Sequence, residues 1–306
     1  MASKTFSSFP FILLISISLI SNIAFAASKD DEKPSSFNFL KHLQGSHKGE
    51  NMKGIQGLKK YLQHFGYLNY QNQSLFNNDD FDNQLESAIK TYQINFHLNR
   101  TGILDSETVS QMTLPRCGVA DIINGNTRME SRKQSNTSKF KIVSHFAFIP
   151  GNPRWPPYKY HLTYGFQLNT PPAAVAPVKR AFKTWEANSQ FTFEITEYFD
   201  SADLKVNFYS GGHGDGLPFD GPGGILAHGM PPQIGILHFD ADEKWVVGKV
   251  DDGVDIETVA LHEIGHLLGL AHSSVENAIM FPTILPGVIK GMSDDDIQGI
   301  KALYSI

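Results

Sequence analysis

Residues 262–272 read His-Glu-Ile-Gly-His-Leu-Leu-Gly-Leu-Ala-His, the stretch of the chain with the clearest chemistry. His262 and His266 are four apart, so on a helix their imidazoles leave one face about one turn apart and can share a metal ion. Glu263 stands beside such an ion rather than on it, the place for a carboxylate that takes a proton from an attacking water. A continuing helix would carry His272 away, but Gly269 tolerates positive φ and lets the chain turn so that His272 closes the triad. Three protein ligands with an open water position describe a catalytic zinc site rather than a structural one. Five fixed identities within these eleven positions arise by chance on the order of once in ten thousand chains of this length, which disfavours a core helix with coincidental histidines.

The elements that must position this motif are legible around it. Ile55, Leu58, Leu62 and Phe65 recur at helical spacing, with Gly66 where a C-terminal cap belongs. A second helix is predicted from about Asp82 to Phe96, and a third from the N-cap Asp105 through Val109 and Met112. Residues from about 45 to 115 therefore read as a small three-helix domain. From Gly118 to Lys139 the chain is polar and poor in apolar residues, the mark of an exposed linker open to proteases. Alternating runs then predict strands at Tyr160–Phe166, Phe191–Ile195, Leu204–Phe208, Gly224–His228 and Ile236–Phe239. Helices are expected around Val178 to Trp185, through the metal motif, and from Ser293 onward with Asp294 to Asp296 in the first turn. The fold class that follows is α+β, in a second domain of about 160 residues.

At 306 residues the chain has room for a leader and two domains. A net charge of −5 with no Lys/Arg run gives no footprint for nucleic acid or an anionic membrane. Lys4, the apolar run Phe9 to Ile20 and Ala24-Phe25-Ala26 have the form of a signal peptide over residues 1–26, and neither a later segment nor the C-terminus reads as a membrane anchor. A secreted, extracellular product is expected. Sequons at Asn72, Asn99 and Asn136 are then candidate glycosylation sites. Cys117 is the only cysteine, unusual for an exported protein and the mark of a thiol with a task.

The extended zinc motif is shared by the metzincin peptidases, and the chain resembles a matrixin, that is, a matrix metalloproteinase. Met280 in Ala278-Ile279-Met280 is similar to the family's methionine turn, Pro115-Arg116-Cys117-Gly118-Val119-Ala120-Asp121 to its cysteine switch, and Gly151-Asn152-Pro153-Arg154-Trp155 to the opening of its catalytic domain. The resemblance implies a zinc endopeptidase made as a latent zymogen. Residues 27–140 would be the propeptide, with the switch at 115–121 and a linker at 122–140. Residues 141–306 would be a catalytic domain with a twisted five-stranded sheet and three helices. Cys117 would occupy the open zinc position, since a thiolate is an excellent zinc ligand. Arg116 and Asp121 would form the ion pair that holds the loop. Ala120 departs from the family pattern, which usually has proline there.

The resemblance also assigns His213, Asp215, His228 and His238 to a second, structural zinc. Asp220-Gly221-Pro222-Gly223-Gly224-Ile225 combines a carboxylate with turn glycines, which suits either calcium or an ordinary Gly/Pro turn. By the family pattern Asp220, Gly221, Gly223, Ile225, Asp240 and Glu243 would bind calcium, with a second calcium near Asp203. A peptide substrate would add as a strand along Gly224 to His228, one side chain entering a pocket walled by Pro282 and its neighbours. Ile284 stands where the family commonly has tyrosine. The implied partners are extracellular protein or peptide substrates and an activating protease that cuts between Lys139 and Phe146, acting on a monomer with no nucleic acid and no membrane anchor. The layout, with no hemopexin-like domain, resembles plant matrixins, whose setting would be the apoplast or cell wall. The helical N-terminal domain also resembles peptidoglycan-binding modules. The alternative function is therefore an extracellular glycan-binding protein with an inactive zinc domain, against which the intact Glu263 argues.

Overall fold

A computed structural model describes residues 36–125 and 146–305. The export leader, Asn136 and most of the span assigned to the activation cut lie outside the described residues.

The N-terminal part is built from α1 (Ile55–His64), a single turn α2 (Gln73–Phe76), α3 (Asn83–Asn95) and α4 (Ser106–Met112), preceded by a 3-10 helix at Ser36–Leu43. Local chemistry sets the boundaries. Asp82 caps α3 by accepting from the Leu85 amide, and Asp105 caps α4 by accepting from Thr108. The three expected helices are present, but the domain begins earlier than residue 45. Phe37, Leu40 and Leu43 are buried in its core with Leu58, Leu62, Leu85, Ile89 and Met112. A 3-10 helix leaves too short and irregular an apolar pattern to stand out in sequence. This core is closed by three residues from the second half of the chain, Phe219, Ile225 and Phe281.

The second part runs β1 (Ala147–Phe148), β2 (His161–Phe166), α5 (Pro172–Asn188), β3 (Thr192–Ile195), β4 (Leu204–Tyr209), β5 (Ala227–Gly229), β6 (Ile236–Asp240), β7 (Trp245–Val246), β8 (Val254–Asp255), α6 (Ile256–Leu267), β9 (Leu270–Ala271) and α7 (Asp294–Tyr304). Five strands form one mixed sheet in the order β3-β2-β4-β6-β5, parallel except for β5. Helices α5 and α6 supply much of its apolar cover, with Phe182, Trp185, Val259 and Ile264 in the same core as Leu162, Val206 and Leu237. The Trp185 indole donates to the Leu261 carbonyl and fixes one helix on the other. The α+β fold with a five-stranded sheet is as expected. The expected Gly224–His228 strand is shorter in its ladder, β5 pairing with β6 from Ala227. Ahead of it the Leu226 carbonyl still accepts from Asp240 of β6, while its amide and the Gly224 carbonyl bond elsewhere, as described below. Among the described residues no helix is long and apolar enough to cross a membrane.

Candidate metal centre and its closed cleft

Helix α6 starts at the N-cap Asp255, which accepts from Thr258, and presents His262 and His266 on one face. It stops where Gly269 takes φ 100°, with no room for a side chain, since a Cβ there would lie 2.5 Å from the Pro153 carbonyl oxygen. The chain turns into β9 and brings His272 back to the pair. The three imidazoles are fully or almost fully buried, and each is held by its Nδ1: His262 to the Ile279 carbonyl at 2.6 Å, His266 to the Leu270 carbonyl at 2.8 Å, His272 to the Asp121 carboxylate at 2.7 Å.

A neutral imidazole that donates through Nδ1 has only a lone pair at Nε2. The Nε2 atoms of His262 and His266 nonetheless face each other at 3.1 Å, and that of His272 is buried with no partner. Lone pairs converging in a dry site call for a cation between them. The Cys117 Sγ joins them, 3.5 Å from His266 Nε2, and the four ligand atoms lie within 4.8 Å of one another. Three imidazoles and a thiol within that span form the donor set of a four-coordinate zinc. Burial holds all three histidines below their ordinary value and so in the neutral, ligating form. Burial, with Glu263 nearby, pushes the thiol up, so a cation is what makes thiolate the resting state. Glu263 is fully buried beside the cluster, pushed up to about 8 by that burial, and neither of its oxygens has a hydrogen-bond partner.

Met280 lies under α6: a Cβ on Gly265 would meet its Sδ at 2.3 Å. Asp296 fixes that turn, accepting from the Ile279 and Met280 amides while also closing the capping box of α7 with Ser293. The helix start at Ser293 with Asp296 in its first turn was read from sequence; the second task of Asp296 at the methionine turn was not.

Residues 115–118 lie as an extended strand in a slot over the cluster. On one side the Arg116 amide donates to Gly224 O at 3.0 Å, the Leu226 amide to Arg116 O at 2.9 Å and the Gly118 amide to Ala227 O at 2.8 Å. On the other the Cys117 amide donates to Pro282 O at 2.9 Å and the Ile284 amide to Pro115 O at 3.1 Å. The edge and the pocket wall that sequence assigned to substrate are thus both taken by the chain itself. Arg116, 2 % exposed, pairs with Asp121 at 2.6 Å and stacks on Phe65 at 3.7 Å. Burial works against both charges and is the largest single influence on each. Their attraction and hydrogen bond, with Tyr61 beside Arg116 and His272 on Asp121, together outweigh it, holding the guanidinium above its ordinary value and the carboxylate below. The aromatic support at Phe65 and the Tyr67 hydroxyl on Asp121 at 2.8 Å were not read from sequence, where they look like ordinary core positions.

A second cluster gathers His213, Asp215, His228 and His238, again within 4.8 Å. His228 and His238 face each other across the β5–β6 register, and one Asp215 oxygen lies 2.8–3.0 Å from all three imidazoles. His213 Nδ1 meets the Gly211 carbonyl, so its Nε2 lone pair points at that oxygen, again acceptor against acceptor. Tyr209 and Phe219 stack on the rings. Burial lowers His228 to about 4, while Asp215 falls to about 2 because amide and histidine contacts outweigh its own burial.

Around the 220–225 loop, Asp220, Asp240 and Glu243 accept from the Ile225, Gly221 and Gly223 amides respectively. Burial pushes Asp240 up to about 7 and Glu243 to about 8, with Asp220 adding to both, Asp242 to Asp240 and Asp240 to Glu243. Asp203, the residue expected near a second calcium, pairs with Lys159 and accepts from Thr163. Asn72 and Asn99 are exposed.

The fold and the first cluster have the features of a metallopeptidase with its cleft closed. Comparison with known proteins agrees. Residues 154–305 match the matrixin family, and residues 51–112 match a putative peptidoglycan binding domain. The chain is 43% identical to metalloendoproteinase 2-MMP of Arabidopsis thaliana over 279 residues, 86% of this chain and 74% of that one. It is also 43% identical to metalloendoproteinase 1 of Glycine max, covering 85% of each chain. Interstitial collagenase of Sus scrofa is 36% identical over 82% of this chain and 49% of its own. The chain belongs to the matrixin family of zinc metalloendopeptidases.

Proposed function

We propose that the protein is a secreted endopeptidase made as a latent zymogen, with catalytic zinc on His262, His266 and His272 and with Cys117 as the inhibitory fourth ligand. The observation that carries this is the convergence of those four ligand atoms beside the unpartnered Glu263 carboxylate. When bound there, zinc supplies Lewis-acid activation of a water and of the scissile carbonyl. Glu263 takes the proton from the attacking water and passes it to the leaving amine. The edge at residues 224–227 and the wall at Pro282 to Ile284 hold the peptide in an extended form once residues 115–118 have left, as in strand addition.

In this reading residues 1–26 direct export, 27–140 form the propeptide and 141–306 the catalytic domain. The His213 cluster holds a structural zinc, supported by its facing acceptors. The 220–225 loop, with Asp240 and Glu243, takes calcium, supported by two buried carboxylates, Asp240 and Glu243, and the half-buried Asp220, each accepting from a backbone amide of the loop. Asn72 and Asn99 are open to glycosylation. Substrates are extracellular proteins or peptides, and an activating protease cuts the linker.

The test follows cleavage of a quenched peptide by the purified proprotein before and after a thiol-reactive mercurial, with Glu263→Gln alongside. Activity that appears only on treatment, vanishes with a zinc chelator and is absent in the variant supports the reading. A wild-type protein that binds zinc and stays silent after treatment would overturn it.

A further inference from the structure

Two of the three imidazoles are oriented by carbonyls of the catalytic part itself, Ile279 and Leu270. The third, His272, takes its Nδ1 partner from the propeptide: Asp121 Oδ1 at 2.7 Å, 151 residues away in sequence, with both side chains at most 1 % exposed. That carboxylate is fixed without help from His272. Arg116 donates to Oδ1 and Tyr67 to Oδ2, Asn95 supports the Tyr67 hydroxyl at 3.1 Å, and the Asp121 and Ile122 amides both donate to the Phe65 carbonyl. Gly66 permits this close approach, since a Cβ there would lie 1.9 Å from Ile122 O.

We propose that Asp121 is a positioning residue for the third metal ligand, so that the propeptide supplies an outer partner of the metal centre as well as the thiol. The inference rests on the zinc reading above. A carboxylate on Nδ1 fixes the tautomer whose Nε2 lone pair faces the metal, and makes the imidazole a better donor. Loss of such an outer partner lowers metal affinity about 10–100-fold. Linkage is reciprocal, so bound metal tightens propeptide docking by the same factor, and departure of the propeptide weakens metal retention beyond what loss of the thiol explains.

The test uses the full-length proprotein carrying Cys117→Ser, which removes the thiol's contribution from every sample. Zinc affinity is measured by competition with a chromophoric chelator for this parent, for added Asp121→Ala and for added Tyr67→Phe, which removes a different bond to the same carboxylate. Asp121→Ala is expected to weaken binding at the His262 site at least tenfold and Tyr67→Phe less than threefold. Equal effects of the two, or none from Asp121→Ala, overturn the inference. Histidine-selective 15N NMR gives a second readout independent of global stability. A slowly exchanging Nδ1–H of His272 should be present in the zinc-bound parent and lost in Asp121→Ala, and its absence from the parent refutes the contact. A parent that takes up no zinc at the His262 site sinks the metal reading itself, and this inference with it.

Discussion

Replacing Arg116 with alanine should open the zymogen without any cut. The guanidinium is 2 % exposed, paired with Asp121 at 2.6 Å, bonded through Nε to the Cys117 carbonyl at 3.2 Å and stacked on Phe65 at 3.7 Å. Its removal leaves a buried carboxylate without its counter-ion, which destabilises the docked state by about 3–5 kcal/mol. Because the switch loop undocks from the cleft while the catalytic domain stays folded, that energy falls mainly on the closed–open equilibrium. At about 1.4 kcal/mol per factor of ten, the open fraction rises by roughly 10²-fold to a few thousandfold. The assay is peptide cleavage by intact Arg116→Ala proprotein, with electrophoresis confirming that no propeptide has been lost and Arg116→Ala/Glu263→Gln as the blank. Basal activity within twofold of wild type, in a protein that still responds to mercurial, would refute the reasoning and reduce the buried pair to a fold-stabilising feature.

Three other outcomes follow from single positions. Glu263→Gln should lose activity by about 10²–10⁴-fold while keeping zinc by elemental analysis, since the residue moves a proton and does not ligate; loss of zinc would contradict its role. Gly269→Ala should destabilise the catalytic domain by more than about 1 kcal/mol and lower zinc occupancy, because φ 100° and a 2.5 Å clash both oppose a side chain; unchanged urea midpoint and occupancy would refute it. Lys290 is pushed down to about 8 by burial, against about 10.4 in an unfolded chain. The unfolded state therefore binds more protons between these values, and stability should rise with pH over that window, by about 1–2 kcal/mol once solvent screening of this part-buried side chain is allowed for. Urea unfolding near pH 8 and pH 10 should show that rise in wild type relative to Lys290→Met, and parallel curves would rule it out.

What could be read from sequence is what is decided locally. Asp82, Asp105 and Ser293 sit within three residues of the amides or carboxylates they cap, and the spacing of His262 and His266 becomes geometry as soon as a helix forms. The lone Cys117 was legible because a single cysteine is unusual in a chain that begins with an export-like leader. What escaped depends on partners brought together by tertiary packing. Asp121 meets His272 and Asp203 meets Lys159 across long separations, and no periodicity encodes such a meeting. Phe219, Ile225 and Phe281 read as catalytic-domain residues yet complete the prodomain core, because the cleft they border is filled by the propeptide. The strand expected at 224–228 has a second neighbour for the same reason: Gly224, Leu226 and Ala227 bond to residues 116–118 on one side, while Leu226 and Ala227 meet β6 on the other.

That pairing explains how a cut far from the metal could activate the protein. Residues 115–118 make five backbone hydrogen bonds to the cleft, worth about 0.5–1.5 kcal/mol each at best, besides the thiol and the buried ion pair. No single one need be broken for the switch to leave. While the linker is intact the loop rebinds at the effective concentration its tether imposes, in the mM range for a short flexible connection. Once the linker is cut, rebinding depends on the bulk concentration, and a substrate in excess competes for the same edge and wall. The mercurial acts on the other half of the balance, removing the thiol while the tether remains. The two routes should therefore differ on dilution: activity released by a cut rises as the protein is diluted, whereas activity released by the mercurial alone is independent of protein concentration. Identical dilution curves for the two would mean that the propeptide is held by the thiol and not by the cleft.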